Sequence, residues 1–389
     1  MSVEAGPPER DVEPPAPGES GPRSRDLGHG VGVLVALFGP VVLSVSLALV
    51  SGRGAPVAWL WIVVPLLAAV LAAIGANARR TPIVSGIGGL GLAGFLAFAW
   101  SFRAAPIPLR EQDVIIPMAR VPRGVAAYRV ETGVIHRTAS FGYRGGGLDT
   151  PRDFAMNAVL ITHPAGDVLV DTGLGGNVRA HLEEMPLPFR AVTNLAPSTS
   201  VAAQLEAIGY DRARLFCVVL THAHWDHVSG AEDLVGAPLW VTASERAFLD
   251  EGWITAIARR VSLDRYRTYE LDGPPALHAP RSHDVHGDGA IVIVPVPGHT
   301  PGSVAVLVTE SEGRRFLLLG DLVWQREGIT EREERPWLTR LGDSDPAEVR
   351  DQIAAVAALS RAHPEIVLVP AHDPRGYAEM RPLEALARP

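Results

Sequence analysis

The 389-residue sequence holds a single cysteine, Cys217, and no lysine, so all 35 of its basic residues are arginine. One cysteine excludes an intramolecular disulfide framework and any zinc site built from clustered thiolates. Charge is scarce as well: Asp, Glu, Lys and Arg make up 20% of the chain, against the roughly 25% of ordinary soluble domains. What charge there is balances to −8, with a pI near 5.9, so there is no electrostatic case for nucleic acid as a partner. Apolar residues fill the difference. At 47% of the chain and a mean hydropathy of +0.15, they exclude a mostly disordered protein and argue against one that is soluble throughout.

The apolar excess is concentrated in the first quarter. The runs 27–52, 54–78 and 81–102 contain no Asp, Glu, Lys or Arg. Each exceeds the ~20 residues needed to cross a bilayer as a helix. Only Arg53 and the pair Arg79-Arg80 separate them, and Trp59, Trp61 and Trp100 lie near their ends, where indole suits the membrane interface. A signal peptide is the wrong reading for a run this long that follows a largely polar 26-residue tail. The sequence therefore predicts a Pro-, Gly- and Glu-rich disordered tail over 1–26, three transmembrane helices over 27–102 and a connector over 103–123. Near the membrane, Arg23, Arg25, Arg79 and Arg80 oppose Arg53, Arg103 and Arg110, which tilts the remainder of the chain toward the extracytoplasmic side. Glycines 86, 88, 89 and 91, inside an apolar run, favour close helix packing over phosphate binding.

From about residue 124 the composition is that of a soluble domain. Short apolar runs at 167–170, 216–220, 291–294, 316–319 and 366–369 suit strands buried on both faces. Helix-like stretches intervene at 199–208 and at 346–362, the second beginning after Asp345, a good N-cap. Alternating strands and helices predict an α/β domain over 124–389. Just beyond the strand ends stand Asp171, His222, His299, Asp321 and His372, in positions where layered α/β proteins bind ligands.

The densest cluster is Thr221-His222-Ala223-His224-Trp225-Asp226-His227. In an extended segment His222 and His224 project together, whereas Asp226 and His227, after a turn, face a second centre. Imidazoles with mixed carboxylate neighbours suit zinc. Two adjacent dications need an anion between them, which Asp321 supplies, while His299 and His372 complete three protein ligands for each. The position left open between them suits a water activated as nucleophile. His278, His283 and His286 lie in a polar loop and are expected to face solvent.

At these residues the sequence resembles the metallo-β-lactamase superfamily. His222 to His227 meet the pattern His-x-His-x-Asp-His. Asp171-Thr172-Gly173, Gly298-His299-Thr300-Pro301-Gly302-Ser303, Gly320-Asp321 and Ala371-His372-Asp373 match its other motifs in order. The resemblance spans about 155–373 and does not touch 1–110. It implies an αβ/βα sandwich with two Zn2+ ions at one edge, His222, His224 and His299 on one zinc, Asp226, His227 and His372 on the other, and Asp321 bridging. Asp171 would stand behind the ligands as support.

Asp321 argues against antibiotic hydrolysis, because the true β-lactamases lack a bridging aspartate there. The segments 157–164, 171–174 and 370–373 look most like the N-acyl homoserine lactonase branch. In that branch a tyrosine three residues after the bridging aspartate helps polarise the substrate carbonyl; here Trp324 occupies the position. Trp225 is either an acyl-pocket wall or a packing residue over the metal loop. The reading that results is a membrane-anchored dinuclear zinc hydrolase cleaving an ester, lactone or thioester through a metal-bridging hydroxide, with Asp226 relaying the proton. Its small-molecule substrate would carry an apolar part. The alternatives are a sulfate ester or phosphodiester hydrolase of the same fold, a sensor that retains the metal site, and a di-iron oxidoreductase.

Overall fold

A computed structural model describes residues 99–261 and 263–387. The predicted tail, and the predicted transmembrane helices up to residue 98, lie outside the described residues. Among the described residues no helix is long and apolar enough to cross a membrane.

Two sheets account for the strands. In spatial order the larger runs Arg381–Pro382, Ala126–Thr138, Pro151–Thr162, Asp167–Val170, Leu215–Val219, Leu239–Val241 and Tyr266–Thr268, and Leu195–Pro197 pairs with its long second member. Its first half pairs mostly antiparallel, whereas Asp167–Val170 onward is parallel, each strand returning through helical or irregular crossovers. The smaller sheet runs Ile366–Val369, Arg315–Leu318, Val304–Thr309, Ile291–Pro295 and His283–Asp284. All five apolar runs of the sequence are strands, and the strong β-branched content explains why.

Period-two alternation in these strands decides how the layers stack. Val168, Val170, Cys217 and Val219 face Ile291, Ile293, Phe316 and Leu318 in one apolar layer between the sheets. Their sequence neighbours Leu169 and Val218 point to the outer face of the larger sheet, under Val201 and Leu205 of helix Val201–Ala207. Val292, Val294 and Leu317 point out of the smaller sheet toward Val349, Ile353, Val356 and Leu359 of helix Pro346–Ala362. That helix starts where the sequence places it, its Asp345 carboxylate accepting from the amides of Ala347 and Glu348, a cap worth about 1 kcal/mol. The result is a helix–sheet–sheet–helix sandwich, as the resemblance implied.

Residues 103–123, read from sequence as a connector, run along the smaller sheet's side of the sandwich. Ala105 N–H donates to Glu333, Ile107 exchanges hydrogen bonds with Arg332, Ile115 bridges to Leu277, and Ile107 is buried. His278, His283 and His286 differ from expectation: each is partly buried and hydrogen-bonded, to Gln352, the Glu270 carbonyl and the Gly166 carbonyl. The loop that carries them packs against the sheet edges, so composition alone overstated its contact with water.

Candidate metal centre

The strand Leu215–Val219 delivers the histidine cluster. After it the chain stays extended through His224 and then turns into the short helix Trp225–Val228, which separates His222 and His224 from Asp226 and His227. The turn after Ile291–Pro295 brings in His299, the end of Arg315–Leu318 brings in Asp321, and the end of Ile366–Val369 brings in His372. Two of these turns need glycine. Gly320 has φ +52°, and a Cβ there would press on Thr221; Gly298 has φ +123°, and a Cβ would lie 2.7 Å from the Val349 amide nitrogen.

Donor atoms converge in three overlapping groups, each within 4.8 Å: His222, His224 and His299; His222, His227 and Asp321; Asp226, His227 and His372. Asp321 faces both halves. Its Oδ1 lies 3.2 Å from His227 Nε2 and 3.0 Å from His372 Nε2, while its Oδ2 lies 3.4 Å from His299 Nε2. Asp226 Oδ2 completes the second half at 3.5 Å from His372 Nε2.

Four of the five imidazoles are held from behind. His227 Nδ1 donates to Asp171 Oδ2 at 2.8 Å, His299 Nδ1 to Asp343 Oδ1 at 2.7 Å, and His372 Nδ1 to the Ala155 carbonyl at 2.8 Å. His222 Nδ1 lies 3.2 Å from the Thr221 hydroxyl, which itself donates to Asp171. Anchoring one ring nitrogen on an acceptor fixes the tautomer and turns the other lone pair inward. Asp171 holds this scaffold with φ +57°, a left-handed conformation that aspartate tolerates better than most residues.

Several of the inward atoms have no hydrogen-bond partner among the described residues. His222 Nε2, His227 Nε2 and Asp321 Oδ1 are buried without a hydrogen-bond partner, and His224 Nδ1 sits 2.9 Å from His299 Nε2. Buried polar atoms left unpartnered are rare and costly, so a cluster of them at one point fits a cation that takes their lone pairs. Electrostatics agrees. Burial, with neighbouring imidazoles, holds His222 and His224 well below the ordinary histidine range. Burial pulls His227 and His372 down too, yet the carboxylates beside them raise both above it. Asp321, despite burial, is held well below the usual carboxylate range by His372 and His227.

Three supporting residues carried no recognisable sequence signal. Asp343 behind His299 and the buried Arg335, which pairs with Asp343 and donates to the Asp321 carbonyl at 2.6 Å, come from a loop of plain mixed charge. Glu245 follows Thr242 at the spacing of a helix-start capping box. Its carboxylate instead accepts from the Ala223 and Gly302 amides and the Thr300 hydroxyl, tying the two histidine turns together. Trp225 is buried, edge-on to Phe189 at 5.9 Å, and belongs to the core outside the larger sheet. Trp324 is partly buried, and its indole N–H donates to Asp321 Oδ2 at 2.7 Å.

The profile of the metallo-beta-lactamase superfamily matches residues 151–372, the stretch that contains every residue of this cluster. The chain belongs to the metallo-beta-lactamase superfamily. It is 33% identical over 241 residues to a probable metallo-hydrolase of Mycobacterium tuberculosis, covering 57% of this chain and 75% of that protein. An N-acyl homoserine lactonase of Agrobacterium fabrum is 26% identical over 230 residues, covering 57% of this chain and 83% of the relative. Among solved structures, a quorum-quenching N-acyl homoserine lactone lactonase superposes with a TM-score of 0.52 at 15% identity, covering 68% of this chain and 98% of that one. That likeness shows the superfamily fold. With its ligand-like His and Asp groups in place, the chain is a metallo-hydrolase of the metallo-beta-lactamase fold.

Proposed function

We propose that this superfamily member is a dinuclear, zinc-dependent hydrolase that opens an ester, lactone or thioester carbonyl, held at a membrane by its first quarter. The observation that carries the reading is the three overlapping groups of donor atoms, with Asp321 facing both ends and with His222 Nε2, His224 Nε2, His227 Nε2 and Asp321 Oδ1 buried without a hydrogen-bond partner among the described residues. His222, His224 and His299 would hold one cation and Asp226, His227 and His372 the other, with Asp321 between them. This all-nitrogen-and-oxygen donor set suits zinc. Two such cations supply Lewis-acid chemistry, polarising a carbonyl and acidifying water.

The chain's own residues do the rest. Asp171, Asp343 and the Ala155 carbonyl keep the imidazole lone pairs aimed inward. Asp226 has the most exposed side chain of the four carboxylate and histidine groups in its half, at 12%, which suits it to carry a proton between the site and water. The homoserine lactonase relatives favour a carbonyl substrate with an acyl tail.

The test is elemental analysis of the full-length chain with turnover on lactones, thioesters, sulfate esters and phosphodiesters. Two zincs per chain and hydrolysis of a carbonyl ester are expected, with His299→Ala lowering turnover by at least about 100-fold. Absence of metal-dependent turnover on the whole panel, or full activity in His299→Ala, rejects the proposal. Turnover on sulfate or phosphate esters alone would reassign the bond cleaved. Anchoring predicts that the chain stays with membranes through high-salt and carbonate washes. The arginine distribution predicts that protease applied to intact cells degrades the hydrolase domain.

A further inference from the structure

The residue three positions after Asp321 is a tryptophan whose indole N–H points onto Asp321 itself. The Nε1–Oδ2 distance is 2.7 Å. The ring that carries this donor is half-buried and packed against four side chains. Phe141 lies 5.3 Å away at a 36° tilt, Phe154 stands edge-on at 6.2 Å, and His372 stands edge-on at 5.7 Å. The Arg335 guanidinium lies 4.9 Å from the ring centroid, a cation–π contact. Arg335 is itself buried, donates to the Asp321 backbone carbonyl at 2.6 Å, and pairs with Asp343, the carboxylate behind His299. Trp324, Arg335, Asp321 and Asp343 thus form one locked unit that reaches both halves of the donor cluster.

We propose that Trp324 is a positioning residue for the shared carboxylate: its indole N–H fixes the orientation of Asp321, so that cation affinity at the centre depends on that hydrogen bond. The inference rests on the metal reading above and goes beyond it. A carboxylate can turn about its last torsion, and the two oxygens are chemically equivalent until something distinguishes them. One donor on Oδ2 does so, leaving Oδ1 unpartnered and facing His227 and His372. Indole suits the task because its nitrogen is a donor only. It cannot bind a cation in competition with the histidines, and it cannot take a proton from the site. The same hydrogen bond engages the only polar group of Trp324, so this side chain does not polarise a substrate carbonyl.

The experiment uses the full-length chain loaded with Zn2+ or Co2+. Trp324→Phe keeps a ring in the aromatic packing and removes the N–H; Phe141→Leu disturbs the packing and keeps the N–H. In competition with a chromophoric chelator, Trp324→Phe should hold its more weakly bound Zn2+ about 10- to 100-fold less tightly, as expected for loss of a ligand's orienting partner. Its Co2+ d–d absorption should also change, because that spectrum reports the carboxylate's geometry. Phe141→Leu should keep the wild-type Co2+ spectrum and Zn2+ affinity within about threefold. If Trp324→Phe binds Zn2+ like wild type with an unchanged Co2+ spectrum, or if Phe141→Leu weakens binding equally, the proposal is overturned. A wild-type chain that takes up no metal would overturn the metal reading and this inference together. Should Trp324→Phe fail to fold, 15N-tryptophan labelling of the wild type decides: one exchange-protected indole N–H must shift on Zn2+ addition, and the absence of such a signal refutes the assignment.

Discussion

Two carboxylates, Asp167 and Asp321, are both buried in the same sandwich, and their surroundings differ in one respect. Asp167, beside a surface cavity of about 380 Å3 lined by Tyr128, Thr162 and Tyr210, has every oxygen engaged. It accepts from the His163 amide at 2.8 Å, from Tyr210 Oη at 2.8 Å and from both arms of the Arg214 guanidinium. Asp321, at the histidine end, has an oxygen with no hydrogen-bond partner among the described residues, and the inward nitrogens of His222 and His227 beside it are equally bare. Burial alone therefore does not separate structural from functional polar groups. Satisfaction does: the partnered carboxylate stitches loops together, and the unpartnered one awaits a ligand.

The comparison is sharpest under substitution. Asp321→Asn should lower turnover by about 1,000-fold or more and reduce the metal content below two per chain, measured by elemental analysis, while the metal-free protein melts no lower than wild type. Asp167→Ala should do the reverse. Removing the shared acceptor strands the buried His163 amide and the Arg214 charge, at about 3 kcal/mol once the half-exposed arginine is discounted. Denaturant unfolding should record that loss, with metal content unchanged; a fall in metal content would break the comparison.

Glu245 lies beside the donor cluster yet has both its oxygens engaged as acceptors, so it tests whether satisfaction or location governs. Burial pushes its carboxyl from 4.5 up to about 7, despite the three donors that favour the anion. The folded value lies above the unfolded one, so the folded chain keeps the proton longer. The stabilisation from this group is complete below pH 4.5 and is lost as the pH rises through about 7. In chelated protein, the stability difference between wild type and Glu245→Gln should change by about 3 kcal/mol across that window and stay level outside it. The smallest expected effect on the metal is at Asp343, which touches the inward cluster only through His299 Nδ1. Asp343→Asn should weaken Zn2+ binding by about 10-fold in chelator competition, and, because it leaves the buried Arg335 guanidinium without its carboxylate, should lower metal-free stability by about 3 kcal/mol.

Much of the fold and of the candidate metal centre is legible in the sequence. Short β-branched runs announce the strands, Asp345 announces the start of the helix over 346–362, and the histidine spacing announces two clusters on either side of a turn. Other residues give no signal for a physical reason. Glu245 sits at capping-box spacing, and only the proximity of the Ala223 and Gly302 amides draws its carboxylate elsewhere. Arg335 ends the mixed-charge run 331–335, which reads like solvated surface, and Asp343 stands eight residues on with no motif around it; their burial follows from that loop folding back over His299. The polarity of residues 278–286 likewise conceals how closely that loop packs.

The order and kind of the chemical groups were set by the sequence alone: strand, turn and histidine, repeated until nitrogen and oxygen donors gather at one end of the strands. Which oxygen of Asp321 faces which imidazole, and that the indole of Trp324 serves the carboxylate, were decided only by tertiary packing. A hydrogen bond between side chains depends on angles and distances that several separate chain segments fix jointly, and no single stretch of sequence contains them.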